Sequence, residues 1–149
     1  MTVDQQLSAS LEDYLEAIYH IVDRKQAARA KDIVESMGVH NSSVTQALRS
    51  LSDKGLVNYA PYDLVTLTEA GQVAAASVVE RHRALRSFLV EVLGMESDQA
   101  EHDACRLEHD ISQDLLERLR MLMAFRHDHP DSVVTWDQGR GGFVCAGGA

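Results

Sequence analysis

The sequence predicts a mainly α-helical protein: an N-terminal winged helix-turn-helix with a two-stranded wing, followed by an all-helical second half. Three observations lead there. Apolar residues recur at a 3.6-residue period through most of the chain, and a short helix, a glycine and a second helix follow one another around residue 38. Two brief Val/Leu-rich runs then flank a proline-containing turn.

The first helix is marked by Leu11, Leu15, Ile18 and the Ile21-Val22 pair, with Ser8 or Ser10 as its cap. Ala30 to Met37 reads as a short helix stopped by Gly38 at the position that favours a left-handed backbone. Asn41 is a good N-cap for a third helix, Ser42 to Asp53, with Val44, Leu48 and Leu51 facing inward. Leu56–Tyr59 and Leu64–Leu67 are the expected strands, with Ala60-Pro61-Tyr62-Asp63 as the hairpin tip. A long helix opens at Thr68-Glu69 and runs to about Leu93, where Gly94 stops it. Ser97 starts another, and Ser112 caps a last one whose stripe is Leu115, Leu116, Leu119 and Leu122-Met123. Past Pro130 the pattern decays: Gly139, Gly141, Gly142, Gly147 and Gly148 suggest flexibility, while Trp136 and Phe143 can dock on the body. The expected division is a winged-helix domain over residues 1–70, a helical domain over 71–129 and a Gly-rich tail over 130–149.

Composition narrows the setting. The 149 residues suffice for one core, or for a small domain with an attached helical half. No stretch approaches the roughly 20 apolar residues of a membrane span, and no basic-then-apolar leader opens the chain, so a cytoplasmic protein without membrane contact is expected. Cys105 and Cys145 make no disulfide framework, and reduced thiols are expected.

Helix, turn, helix and hairpin in this order form a shape that reads duplex DNA, the second helix of the pair entering the major groove. Its first turns are small and polar. Asn41, Ser42, Ser43 and Thr45 can bond phosphates or bases, Gln46 can address adenine, and Arg49 can reach a phosphate or a guanine. A polar Asn-Ser-Ser-x-Thr stretch is also simply a good helix start; the hairpin just downstream favours the DNA reading. The charge works against it, since the net charge is −9 and residues 1–67 hold six Lys/Arg against nine Asp/Glu. Arg29, Lys31, Arg49 and Lys54 are few phosphate contacts for one subunit, so a dimer reading two half-sites, a bound cation, or both must offset the repulsion.

The second half offers that cation a place. Cys105, Glu108 and His109 fall at i, i+3 and i+4, one face of a helix, and supply a thiol, a carboxylate and an imidazole. These donors bind divalent transition ions. His102 lies one turn earlier, Asp13 and Glu16 form another helically spaced pair, and His82 sits on the long central helix. Taken singly each is unremarkable in meaning: a histidine between two arginines is usually at the surface, an Asp/Glu pair is usually a solvated face, and a lone cysteine is often a small buried hydrophobe. Jointly they predict a metal site if the fold assembles them.

Residues 8–125 resemble the diphtheria-toxin-repressor family of metal-dependent transcription regulators, including its iron-dependent and manganese-transport branches. The likeness lies in Leu11-Glu12-Asp13-Tyr14-Leu15-Glu16-Ala17-Ile18-Tyr19, in Asn41-Ser42-Ser43-Val44-Thr45, in Glu80-Arg81-His82-Arg83 and, most specifically, in Ala104-Cys105-Arg106-Leu107-Glu108-His109. The resemblance implies a short two-domain homodimer that represses metal-uptake genes on double-stranded operator DNA, metal bridging the first helix to the second domain. It implies Cys105, Glu108 and His109 as ligands of the regulatory site, Asp13 as the ligand used by the manganese branch, and Glu16 and His82 as further ligands of that branch. Cys105 stands where the manganese branch has a carboxylate and the iron branch a thiol. The hybrid set implies Mn²⁺ or Fe²⁺, with Co²⁺, Ni²⁺ or Zn²⁺ able to substitute. His102 matches an ancillary-site histidine of the iron branch, whereas Arg86 stands where that site has a carboxylate. Two other classes compete: a winged-helix regulator that senses a small molecule, and a metalloenzyme. The chain has no His-Glu-x-x-His and no Glu-x-x-His, so catalysis is not expected.

Overall fold

The computed structural model describes residues 7–60, 62 and 64–145, and Pro61, Asp63, Gly147 and Gly148 of the expected hairpin tip and tail lie outside them. The chain forms six α-helices and two antiparallel hairpins among these residues, in two compact units, Met1–Val79 and Glu80–Ala149. The unit boundary falls inside the fourth helix.

The N-terminal unit holds α1 (Ala9–Lys25), α2 (Ala30–Met37), α3 (Asn41–Asp53), β1 (Val57–Asn58), β2 (Thr66–Leu67) and the first half of α4 (Glu69–Glu91). Of the two candidate serines, Ser8 caps α1, its Oγ accepting from the Leu11 amide at 3.3 Å. The 3.6-residue stripe packs as expected: Leu15, Ile18, Ile33, Val44, Leu48 and Leu51 are all fully buried in one cluster with Tyr14, Ile21, Val57 and Val65. Each such side chain contributes about 1.5–3 kcal/mol by leaving water. Gly38 (φ 65) ends α2 in the left-handed region, its amide bonded to the Val34 carbonyl at 2.9 Å. Asp32 fixes the other end, accepting from the Arg29 amide at 2.9 Å and from Lys25 Nζ at 2.8 Å. The Lys25 hydrogen bond first, and the Arg29 amide second, hold its carboxyl below the usual carboxylate range.

Two expectations need correction here. Asn41 is the first residue of α3, not its cap; His40 takes the extended cap conformation (φ −74, ψ 148), and the amides of Ser43 and Val44 bond its carbonyl. The strands are two residues each, paired Val57 with Leu67 and Asn58 with Thr66. A bridge from Val65 to Ala28 anchors the returning strand beside α1 and α2. Thr68 closes the base of this wing: its Oγ1 donates to the Gly55 carbonyl at 2.6 Å and accepts from the Gly71 amide at 3.0 Å. Gly71 is required there, because a Cβ would lie 1.8 Å from the Leu56 carbonyl oxygen.

The C-terminal unit holds the rest of α4, α5 (Ser97–Leu107), α6 (Gln113–Asp128), a single 3₁₀ turn (Pro130–Ser132) and the strands β3 (Val134–Asp137) and β4 (Gly142–Cys145). Its core joins Leu85 and Leu89 of α4, Ala100 and Ala104 of α5 and Leu119 of α6. The two alanines, one turn apart, are fully buried in this core. Only part of the expected α6 stripe is covered: Leu116 and Leu119 are buried, while Leu115 and Leu122 are exposed, as are Met121 and Phe125 on the same helix.

The stretch expected to be a flexible Gly-rich tail after residue 129 instead contains a β-hairpin. Trp136 stacks edge-on against Phe143 and packs over Gly94, whose left-handed φ of 64 ends α4. The Trp136 amide donates to the Val92 carbonyl at 3.2 Å, Arg126 and Thr135 donate to the Glu91 carbonyl, and Gln138 Nε2 donates to the Gly94 carbonyl at 2.6 Å. These bonds satisfy carbonyls that a helix end leaves without partners.

Candidate functional site

In the C-terminal unit, α4 presents His82 and Arg86 one turn apart. Antiparallel to it, α5 presents Ser97, Glu101 and Cys105, again at single-turn spacing. The two ladders face each other. His82 Nδ1 lies 2.6 Å from Glu108 Oε2 and 3.7 Å from Cys105 Sγ, while its Nε2 lies 3.0 Å from Glu101 Oε1. The Cys105–His109 run is not one continuous helical face: α5 ends at Leu107, and Glu108 and His109 occupy the turn after it. The turn carries the Glu108 side chain inward to complete burial, and His109 Nε2 lies 3.6 Å from Glu108 Oε1. Cys105 keeps an exposed position rather than a buried apolar one. His82, read alone as a surface residue, has a side chain only 13% exposed.

The electrostatics of this cluster follow from Glu108. A carboxylate taken fully out of water needs a cation or several donors. Oε2 has the His82 ring, but the buried Oε1 has no hydrogen-bond partner among the described residues. The hydrogen bond that His82 donates to Glu108 pushes His82 up to about 9, against burial, which pulls it down; charge on Glu108 and Glu101 adds to the rise. At neutral pH an imidazolium thus sits between the two carboxylates. The donors fit a divalent transition ion: imidazole nitrogen, thiol sulfur and carboxylate oxygen of His82, Cys105 and Glu108 lie within 4.8 Å of one another, and Glu108 retains an unused buried oxygen.

Sequence reasoning missed Glu101. His102, which matches an ancillary-site histidine of the iron branch, is exposed, and it is the neighbouring Glu101 that reaches His82. The signal was available, since Glu101 precedes Cys105 by one turn and therefore shares its side of α5. Asp13 and Glu16 belong to α1 of the other unit; Asp13 is exposed there, and Glu16 lies 3.7 Å from His20.

The N-terminal unit carries the second predicted surface. Arg29, Lys31, Asn41, Thr45 and Arg49 line one cavity of about 630 Å³ together with Tyr59, Tyr62 and Leu64 of the wing. Asn41, Thr45 and Arg49 follow at i, i+4 and i+8, so one face of α3 meets the wing. Ser43 and Gln46 line a separate groove of about 450 Å³ shared with Ser10 and Tyr14 of α1, and Ser42 is exposed. Tyr59 and Tyr62 were not anticipated as lining residues. Tyr62 is fully solvent-exposed with a left-handed φ of 71, a conformation that costs a bulky residue about 1–3 kcal/mol.

The comparisons with known proteins agree across the chain. Residues 6–65 match the family described as iron dependent repressor, N-terminal DNA binding domain, and residues 68–137 match iron dependent repressor, metal binding and dimerisation domain. The chain is similar to an uncharacterised HTH-type transcriptional regulator of Methanocaldococcus jannaschii, 38% identical over 118 residues that cover 78% of this chain and 94% of the relative. It is 35% identical to the HTH-type transcriptional regulator MntR of Listeria welshimeri, covering 83% of this chain and 87% of that one. Among solved structures it is similar to a manganese-dependent transcriptional repressor in complex with manganese, with 34% identity and a TM-score of 0.69 over 77% of this chain and 53% of that one. The manganese regulator SloR gives 29% identity and a TM-score of 0.69 over 91% and 62%. The chain thus spans only about half to three-fifths of the length of these two structures. Among the described residues no helix is long and apolar enough to cross a membrane.

Proposed function

This chain belongs to the iron-dependent repressor family, the diphtheria-toxin-repressor family of metal-dependent transcription regulators, and from that premise we propose that it is a metal-responsive repressor of metal-uptake genes, acting in the cytoplasm as a homodimer on double-stranded operator DNA. The observation that carries the reading is the buried Glu108 carboxylate, one oxygen on His82 and the other without a hydrogen bond among the described residues, beside the Cys105 thiol. A carboxylate so placed has one buried oxygen still able to accept a ligand bond.

In this reading His82, Cys105, Glu108 and His109 hold a divalent metal together with Asp13 and Glu16 of α1. The bound ion supplies a strong local positive charge and ligand bonds that tie the DNA-binding half to the helical half. A DNA-competent arrangement that holds the ion about 100-fold more tightly is favoured by about 2.7 kcal/mol. Arg29, Lys31 and Arg49 contact phosphate, and Asn41, Ser42, Ser43, Thr45 and Gln46 address phosphate and base edges. A second copy covers the apolar α6 face of Leu115, Met121, Leu122 and Phe125, which lies within the region matched to the family's dimerisation domain. The corepressor is Fe²⁺ or Mn²⁺, with Co²⁺, Ni²⁺ or Zn²⁺ as substitutes: the Cys105 thiol draws the site toward Fe²⁺ and the later ions, and the carboxylates of Asp13 and Glu16 draw it toward harder Mn²⁺. The chain acts by binding rather than by catalysis.

The test is duplex binding by the metal-free protein, using DNA selected from a random pool, titrated in turn with Mn²⁺, anaerobic Fe²⁺, Co²⁺ and Zn²⁺. Affinity should rise by at least tenfold with one or more ions and return to baseline with chelator. Equal affinity under every condition would refute the metal switch and favour a small-molecule regulator.

A further inference from the structure

The imidazole of His82 has two ends, and the C-terminal unit treats them differently. Nδ1 faces the cluster, 2.6 Å from Glu108 and 3.7 Å from Cys105. Nε2 points the other way, to Glu101 Oε1 at 3.0 Å. The second oxygen of Glu101 is taken by Arg86 Nε at 2.8 Å, and another nitrogen of Arg86 donates to Ser97 Oγ at 2.6 Å. Apart from the contact to Glu108, in the turn after α5, these contacts run between the facing ladders of α4 and α5, each rung one helical turn from the next.

We propose that Glu101 is a positioning residue for His82, accepting from Nε2–H so that Nδ1 is the nitrogen offered to metal, and that Arg86 holds Glu101 to this task and keeps it from becoming a ligand itself. This deepens the metal-sensor reading and rests on it. A metal-binding histidine commonly donates its other ring N–H to a carboxylate, which fixes the tautomer and ring orientation and strengthens the ligand. Glu101 is also half-exposed, so without a counter-charge it would be an accessible anionic donor beside a cation site. The guanidinium answers that charge with a directed ionic hydrogen bond and places a fixed positive charge where a further ion would approach.

The experiment titrates the full chain anaerobically with Co²⁺ alone, following calorimetry and the thiolate-to-cobalt charge-transfer band. Glu101→Ala should weaken Co²⁺ binding 10–100-fold while the band at saturation persists. Glu101→Gln, whose amide oxygen still accepts from Nε2–H, should recover most of the loss. Arg86→Gln, which frees the Glu101 carboxylate, should raise the number of Co²⁺ ions bound per chain. Glu101→Ala binding within twofold of the parent, or Glu101→Gln as weak as Glu101→Ala, overturns the positioning role. Unchanged stoichiometry in Arg86→Gln overturns the role given to Arg86. A parent chain that yields no charge-transfer band, or one matched by Glu108→Ala, defeats the metal reading beneath the proposal and is distinguishable from both.

Discussion

Replacing His82 by glutamine should abolish a pH dependence of stability that the metal-free protein otherwise shows. The buried carboxylate of Glu108 holds a proton on His82 up to about 9, from an ordinary value of 6.5. A group raised in the folded state contributes stability that is complete below its unfolded pKa and is lost as the pH climbs through the folded one. The displacement corresponds to about 3 kcal/mol at pH 6, falling to roughly 1 kcal/mol at pH 8 and nearly nothing above pH 9.5. For a chain of this size the loss of about 2 kcal/mol between pH 6 and 8 lowers the melting midpoint by about 4–8 °C. The assay is thermal unfolding by circular dichroism in chelator, at half-unit steps from pH 6 to 9.5. His82→Gln should flatten that part of the profile, and so should Glu108→Gln, which keeps the shape of the side chain and removes its charge. A parent profile without the decline, or one that His82→Gln reproduces in full, refutes the coupling between Glu108 and His82.

Other consequences are as direct. Arg49→Ala should weaken duplex binding uniformly across sequences and reduce the slope of log affinity against log salt by about 1, read by fluorescence anisotropy at several salt concentrations. Cys105→Glu should shift the order of activating ions toward Mn²⁺ and away from Co²⁺ and Zn²⁺, read as the metal concentration giving half-maximal DNA binding. Gly71→Ala should destabilise the protein by about 2 kcal/mol or more in chemical denaturation, because the added methyl meets the Leu56 backbone rather than a side chain that can turn aside. Phe125→Glu should shift the protein toward monomer in sedimentation and weaken DNA binding with it.

What could be read from the sequence was whatever depends on local period. Leu15, Ile18, Val44, Leu48 and Leu51 were legible as core because helical spacing alone puts them on one stripe, and they are fully buried. The same spacing picked out Cys105, Glu108 and His109 as candidate donors, although Glu108 and His109 lie in the turn after α5. Pairing between elements was less visible. Glu101 matters because α5 runs antiparallel to α4 and sets its rungs against His82 and Arg86, and no spacing within one helix states which rung meets which. The C-terminal hairpin was missed because its glycines resemble those of a flexible tail. Its four-residue strands are too short to show alternation, and their order comes from Trp136, Arg126 and Gln138 reaching the end of α4. Asn41 shows the one-residue slack in any helix start chosen by residue type, since His40, without a capping side chain, takes the cap by backbone conformation.

The bonds from the hairpin and Arg126 to the carbonyls of Glu91, Val92 and Gly94 make the end of α4 and strand β3 a single cooperative element. Neither part can open without exposing polar groups of the other, so in hydrogen exchange their amides should open together, with one free energy and one response to denaturant. The residues past Pro130 then belong to the energetics of the central helix, although they sit some forty positions further along the chain.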